Sequence, residues 1–368
     1  MHHPAGVVCS HEGRAYGQLM ATEPALEQTL QGPAAWEQEA EREHVHGVGP
    51  WRLGLRRLGR NKVAIAFGVL FILLVLACVA APLWADHVAK TTSTENHLSD
   101  TITVDGKKVN VVALDGVPIG PQWLKADGKF FLGADPNGRD IMVRLLYGGR
   151  NSLMIGIAAA LLTTILSIAF GVVAGYFRGW PDSIIRAGLD VIWSFPVVIL
   201  GVALGVALNL GGMTLGPIDI PPGSLLIPIF VIGIVWVPYM ARPIRGQVLS
   251  LREKEFVEAA RAQGAGPLRI MFSELLPNVA STILVFFPLL VANSILAEAA
   301  LSFLGAGVQP PEPSWGTMLS DGIILLSTSP HLTIVPGLML VLTVLSLNVF
   351  GDGVRDALDP RAKVRLER

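Results

Sequence analysis

A carboxylate stands where the sequence is otherwise apolar. Glu298 lies in the run from Val279 to Leu304, and a charge at mid-membrane costs roughly 2.5–3.5 kcal/mol on insertion scales. Such a residue faces a pathway or pairs across a helix bundle, or it sits near the outer end of its run, hydrated or capping the next loop. The second reading is the expectation. Asp190 stands near the start of another apolar run, where Arg186, four residues earlier, can pair with it. Five of the eight histidines (His2, His3, His11, His44 and His46) lie in the first fifty residues. His44-x-His46 comes nearest to a metal-ligand pair, but no Cys or carboxylate spacing completes a site, so a solvated tail is expected. The phosphate-cradling pattern G-x-x-x-x-G-K-[ST] occurs nowhere. Gly106-Lys107 and Gly128-Lys129 are not followed by Ser or Thr, so the sequence holds no Walker A phosphate cradle.

The composition says what kind of scaffold carries these residues. Of 368 residues, 51% are apolar and 15% charged, with 28 Lys+Arg against 29 Asp+Glu, and the mean hydropathy is +0.53. An average soluble domain is about 25% charged. This excludes a disordered chain, a nucleic-acid binder acting through bulk charge, and an ordinary soluble enzyme. The chain reads as an all-α polytopic membrane protein. Cys9 falls in the polar tail and Cys78 in the first apolar run, so a disulfide between them is not expected.

Six apolar runs read as membrane spans: Val63–Trp84, Asn151–Tyr176, Ile184–Leu208, Leu225–Met240, Val279–Leu304 and Leu332–Phe350. The first is longer than a signal-peptide core and starts some sixty residues in, so it reads as a retained span despite the cleavage-like ACVAAP near its end. Residues 1–50 read as a flexible cytoplasmic tail, in which Met20 could also serve as a start. Residues 51–85 are a basic interfacial lead-in, WRLGLRRLGRNK, and the first span. Residues 86–150 form an outer segment. There Thr101–Val104 and Lys107–Val112 alternate about Asp105-Gly106, as a hairpin does. Gly138, Arg139 and Asp140 then open a short helix expected to lie on the membrane surface, with Ile141, Leu145 and Leu146 on one face and Arg139, Asp140 and Arg144 on another. Residues 151–350 carry five further spans, and 351–368 are a cytoplasmic tail. Arg is rich in three of the four segments this topology puts inside. The connections 209–224 and 302–331 hold no Lys or Arg, so both termini are expected on the cytoplasmic side.

The inner loop 252–278 reads as a helix–turn–helix. Glu253, Glu255 and Glu258 load the start of one helix and Arg261 follows toward its end, in keeping with the dipole. Phe256, Ala259 and Ala260 share a face. Gly264 can close the helix in a left-handed cap, and Gly266-Pro267 can start the next, with Leu268, Met271 and Leu275 on one face.

Glu258-Ala259-Ala260-x-x-x-Gly264, with Ile270 and Leu276-Pro277 at their distances, resembles the EAA loop of permease subunits in binding-protein-dependent ABC importers. The family usually has a basic residue and then His before this Leu-Pro, where Ser273 and Glu274 stand here. Residues 131–140, 144–153, 174–180, 301–316 and 352–361 resemble dipeptide and oligopeptide permeases, and the long outer segment favours the second, C-type permease. The resemblance runs from about Trp51 to the C-terminus. It implies the six-helix type I importer fold with a small extracytoplasmic β element in a bacterial or archaeal inner membrane. Glu258, Ala259, Ala260, Arg261, Gly264, Leu276 and Pro277 would dock on an ATP-binding subunit. The implied partners are a related permease, two ATP-binding subunits that hold ATP and Mg, an extracytoplasmic solute-binding protein, and membrane lipid. No cofactor, metal or nucleic acid is implied for this chain, nor any catalysis of its own. The loop at 302–316, with Gly305 and Trp315, reads equally as an outer gate or a rigid connection. The alternatives are a stand-alone secondary transporter or channel, a membrane-embedded enzyme, or the same family carrying nickel, a haem-like ligand or a sugar-peptide. The sparse intramembrane ionisable groups disfavour a coupled carrier.

Overall fold

In the computed structural model the described residues are 50–358, except 105, 124, 126, 127 and 217. The expectations for the N-terminal tail, its histidines, Cys9 and Met20 lie outside them. Helix α1 (Pro50–Leu58) leads into α2 (Lys62–Val79), where Asn61 accepts the Ala64 N–H at 3.1 Å and caps the helix. Along α2, Val63, Val69, Ile72, Leu73, Leu76 and Val79 stay exposed, which suits a helix whose solvent on that side is lipid.

After α2, β1 (Thr101–Val104) pairs antiparallel with β2 (Lys107–Asn110), Val104 opposite Lys107. Gly106 closes the turn at φ +77° with open space around it. Gly106→Val is therefore expected to strain this turn alone, by about 1–2 kcal/mol. Hydrogen exchange should show faster exchange across 101–110 with unchanged protection in the long helices.

Helix α3 (Ile141–Phe177) is 37 residues long, about 55 Å. The expectation of a separate surface helix near 138–150 is corrected here. The segment is the N-terminal end of α3, and both of its faces are covered: Ile141, Leu145 and Leu146 are buried, and so are Arg139, Asp140 and Arg144. The charged face is not turned to water because carboxylates of neighbouring segments meet it.

Two of the six apolar runs are bent. Helices α4 (Trp180–Trp193) and α5 (Val197–Gly211) meet at 88°, and α6 (Leu226–Val235) and α7 (Val237–Leu251) at 41°. Pro196 holds Phe195 out of the helical region and forces the sharper bend. Asp190 pairs with Arg242 of α7 at 2.8 Å, not with Arg186, and the Arg242 guanidinium also covers the Trp193 ring at 5.3 Å. A second hairpin, β3 (Met213–Leu215) with β4 (Ile218–Ile220), follows α5, where only a connection was expected.

The inner turn leads through α8 (Glu255–Ala262) to Pro267–Arg269, a π segment at Ile270–Leu275, and α9 (Leu276–Phe303). Helices α10 (Trp315–Ile323) and α11 (His331–Leu358) complete the described chain. Among the described residues, four helices are long and apolar enough to cross a membrane, or six spans if each bent pair is one. Helix α3 is the central element, packed on α2, α4, α6, α7, α9 and α10. Its close approach to α7 depends on glycine: a Cβ on Gly175 would lie 2.7 Å from Val248.

Candidate coupling site and outer joint

At the C-terminal end of α3, α8 is fixed to the body along one side. Val257 is fully buried, and Ala260 and Ala265 pack against the same core. Arg252 donates to the Tyr176 carbonyl at 2.5 Å, at the C-terminal end of α3 where a cation suits the dipole. The Arg261 guanidinium lies over the Tyr176 ring at 5.8 Å, and Arg178 pairs with Glu253. Burial, then Arg178 and Arg261, hold the Arg252 pKa below its ordinary value. The other side of α8 is free: Glu255, Glu258, Ala259 and Ala262 are exposed.

The helix ends in a Schellman motif. Gly264 has φ +80°, its N–H bonds the Arg261 carbonyl at 2.9 Å, and the Ala265 N–H bonds the Ala260 carbonyl at 3.0 Å. Pro267 opens the next helix at its first position. Leu276-Pro277 explains the π segment. Proline has no N–H for a carbonyl four residues back and its ring crowds that group, so the preceding turn widens and the Leu276 N–H reaches Met271 instead. Of the three residues expected on one face, Met271 and Leu275 are buried and Leu268 is 67% exposed. Leu276 is half-buried, and Pro277, Ser273 and Phe272 are exposed.

At the opposite end, Gly138, Arg139 and Asp140 act as a joint. A Cβ on Gly138 would strike the His97 backbone at 2.7 Å. Asp140 caps α3 by accepting the Met142 and Val143 N–H groups (2.9 and 3.2 Å), and it also accepts the Phe130 N–H at 2.7 Å. Burial raises its pKa, and the three N–H donors oppose the shift. Arg139 and Arg144 share Asp135 and Asp321, at 2.6 and 3.4 Å for Arg139 and at 3.4 and 3.5 Å for Arg144. Burial raises the Asp321 pKa, against the two guanidinium charges. These contacts tie the 86–140 segment to α3 and α10.

Glu298 is fully buried, so of the two forms of the expectation, hydrated or bonded to the following loop, the hydrated one is corrected. Ser302 donates to it at 2.6 Å, and the Ser152 and Ser314 hydroxyls lie against it. Ser302 in turn accepts the Val308 N–H at 3.0 Å, and Ser152 the Trp315 N–H at 3.2 Å. The carboxyl thus joins α3, α9 and the 304–314 loop from inside, with no Lys or Arg of the described residues paired to it. Gly305 is exposed, at φ +78°, and ends α9. Trp315 is fully buried, and its Nε1–H donates to the Leu145 carbonyl at 3.1 Å. Glu298→Gln is expected to retain stability within about 1 kcal/mol, because an acceptor for Ser302 remains. Glu298→Leu strands the hydroxyls and should cost about 2–3 kcal/mol. Thermal unfolding of the two purified variants checks the difference.

Sequence reasoning missed Asp321, Ser152, Ser314 and Tyr176. Ser314 had a local signal, a hydroxyl directly before a helix with Thr317 three residues on, and the two side chains form a capping box. The other three are brought in by long-range packing, which no local spacing encodes.

Residues 167–364 match the family described as the binding-protein-dependent transport system inner membrane component, and residues 49–99 match the N-terminal TM domain of oligopeptide transport permease C. The chain belongs to this permease family. The glutathione transport system permease protein GsiD of Pectobacterium atrosepticum is 37% identical to the permease over 314 residues, 85% of this chain and 92% of the relative. The dipeptide transport system permease protein DppC of Alkalihalophilus pseudofirmus is 36% identical over 316 residues, 86% and 91% of the two chains. A chain of the inward-facing MetNI methionine ABC transporter aligns with a TM-score of 0.48 at 19% identity, over 60% of the permease and 98% of that chain. By its family and relatives, the permease is a multi-pass membrane component of an ABC import system.

Proposed function

We propose that the permease forms the C-type half of a peptide translocation pathway and is coupled to separate ATP-binding subunits through α8 and the turn after it. The observation that carries this reading is the arrangement of α8. One side is anchored by Val257, Arg252 and Arg261, and the opposite side offers Glu258, Ala259 and Ala262 to a partner. Small residues allow a groove to close on the backbone, and a rigid seat transmits its movement to α3 and α9. Relatives named for dipeptide and glutathione transport support a peptide ligand. The assembly would contain a sister permease, two ATP-binding subunits that hold ATP and Mg, and an extracytoplasmic binding protein. The chain itself would be non-catalytic, with the type I importer fold, both termini in the cytoplasm and the β1–β2 hairpin outside.

Reconstitution tests this. The purified permease alone should neither hydrolyse ATP nor transport, and the full complex should hydrolyse ATP faster with dipeptide-loaded binding protein. Single cysteines at Lys107 and Gln309 should react with an impermeant thiol reagent from outside, and one at Arg252 should not. Labelling at 252 with protection at 309 would invert the topology.

A further inference from the structure

The corner between α1 and α2 breaks a local rule. No Asp or Glu occurs between Glu43 and Asp86, and Arg52, Arg56, Arg57, Arg60 and Lys62 fall within eleven residues. Helix α2 has no acidic residue in its first turn and begins on Lys62, with Arg60 just before it. Cations at the positive end of a helix dipole work against the helix. A conflict of this kind marks a functional site when something outside the fold compensates it.

The corner is also held rigidly and left open. A Cβ on Gly54 would come within 3.0 Å of the Leu358 side chain, and one on Gly353 within 2.2 Å of the Ala64 Cβ, so α1 and the start of α2 are seated on the end of α11. Arg52, Arg56, Arg60 and Lys62 are exposed. Beside them Leu55 is 71% and Val63 59% exposed, continuing the lipid-facing stripe of α2. Asp352 and Asp356, on the end of α11, are exposed too, but neither pairs with these four cations among the described residues.

We infer that this corner is a binding site for anionic phospholipid headgroups, with the phosphodiester held by Arg52, Arg56, Arg60 and Lys62 and the acyl chains lying along Leu55, Val63 and α2. The bilayer is the source because the cations border a continuous apolar surface, which a free phosphate would leave in water. A headgroup phosphate supplies the negative charge that the start of α2 lacks. Neutral lipids with a zwitterionic headgroup supply no net charge and bind less well.

The test uses the full chain in nanodiscs and compares spin-labelled phosphatidylglycerol with spin-labelled phosphatidylcholine. A near-surface cation is worth about fivefold in association with an anionic surface, so the wild type should prefer phosphatidylglycerol by at least that order. The quadruple variant R52Q/R56Q/R60Q/K62Q should lose the preference, the R52K/R56K/R60K variant should keep it, and K107Q/K108Q on the hairpin should not change it. Molar salt should remove the wild-type preference, an arm that decides the matter even if the quadruple variant does not fold. Equal association of both lipids with the wild type would overturn the inference, as would a preference that survives molar salt or the quadruple change. Displacement of the labelled lipid by millimolar glycerol phosphate would also overturn it, by assigning a free phosphate site.

Discussion

Ala259→Trp should abolish the stimulation of ATP hydrolysis by loaded binding protein in the assembled complex, while the permease still folds and pairs with its sister subunit. Ala259 lies on the free side of α8, so the indole meets the partner and not the permease core. Overpacking a fitted contact costs about 1–3 kcal/mol, a factor of roughly 5–150 in association. Ala260→Trp should behave differently. Ala260 is half-buried against the core, so a Trp there should unseat α8 and lower the stability of the permease itself. Gly264→Val lies between the two. Its added atoms meet open space, but φ is +80°, and a β-branched residue distorts the turn and misaims α8. ATPase assays with and without loaded binding protein, beside thermal unfolding of each variant, separate the three effects.

Trp315→Ala should be the most destabilising single change at the N-terminal end of α3. The side chain is fully buried, its Nε1–H satisfies the Leu145 carbonyl, and its ring fills the space that Gly149 leaves, where a Cβ would sit 2.6 Å from the ring and 2.5 Å from the Cys78 sulfur. Truncation of a buried Trp costs about 3–5 kcal/mol. Trp315→Phe keeps much of the volume and removes a second hydrogen bond from a carbonyl that α3 still pairs within the helix, so about 0.5–1.5 kcal/mol is expected. Unfolding midpoints of the purified variants should fall in the order wild type, Phe, Ala. Equal midpoints for wild type and Ala would show that the 304–316 loop is not anchored by this side chain.

Local chemistry made much of the inner site legible. Gly264 as a left-handed cap and Pro267 as a helix start follow from backbone preferences of single residues, and the structure has both. The apolar runs located every long helix because each of the four long helices carries one run close to or above the span length of about 20 residues. What was not legible depended on distant partners. The 138–150 segment looked amphipathic because Asp321, which with the nearby Asp135 covers its arginines, lies on α10. Glu298 looked best placed near water because two of its three serines, Ser152 and Ser314, come from α3 and from the loop after α9, and only Ser302 is on its own helix. Within α8, period alone put Ala259 and Ala260 on one face. The seating of Val257 and Arg261 on the body turns them to different surroundings.

A site-specific photo-crosslink at position 259 tests the central claim most directly. With a benzoylphenylalanine at 259 in the complete transporter, irradiation should join the permease to an ATP-binding subunit, and one at 107 on the β1–β2 hairpin should not. No adduct at 259, or an equal ATP-binding-subunit adduct at 107, would contradict the assignment of α8 as the coupling element.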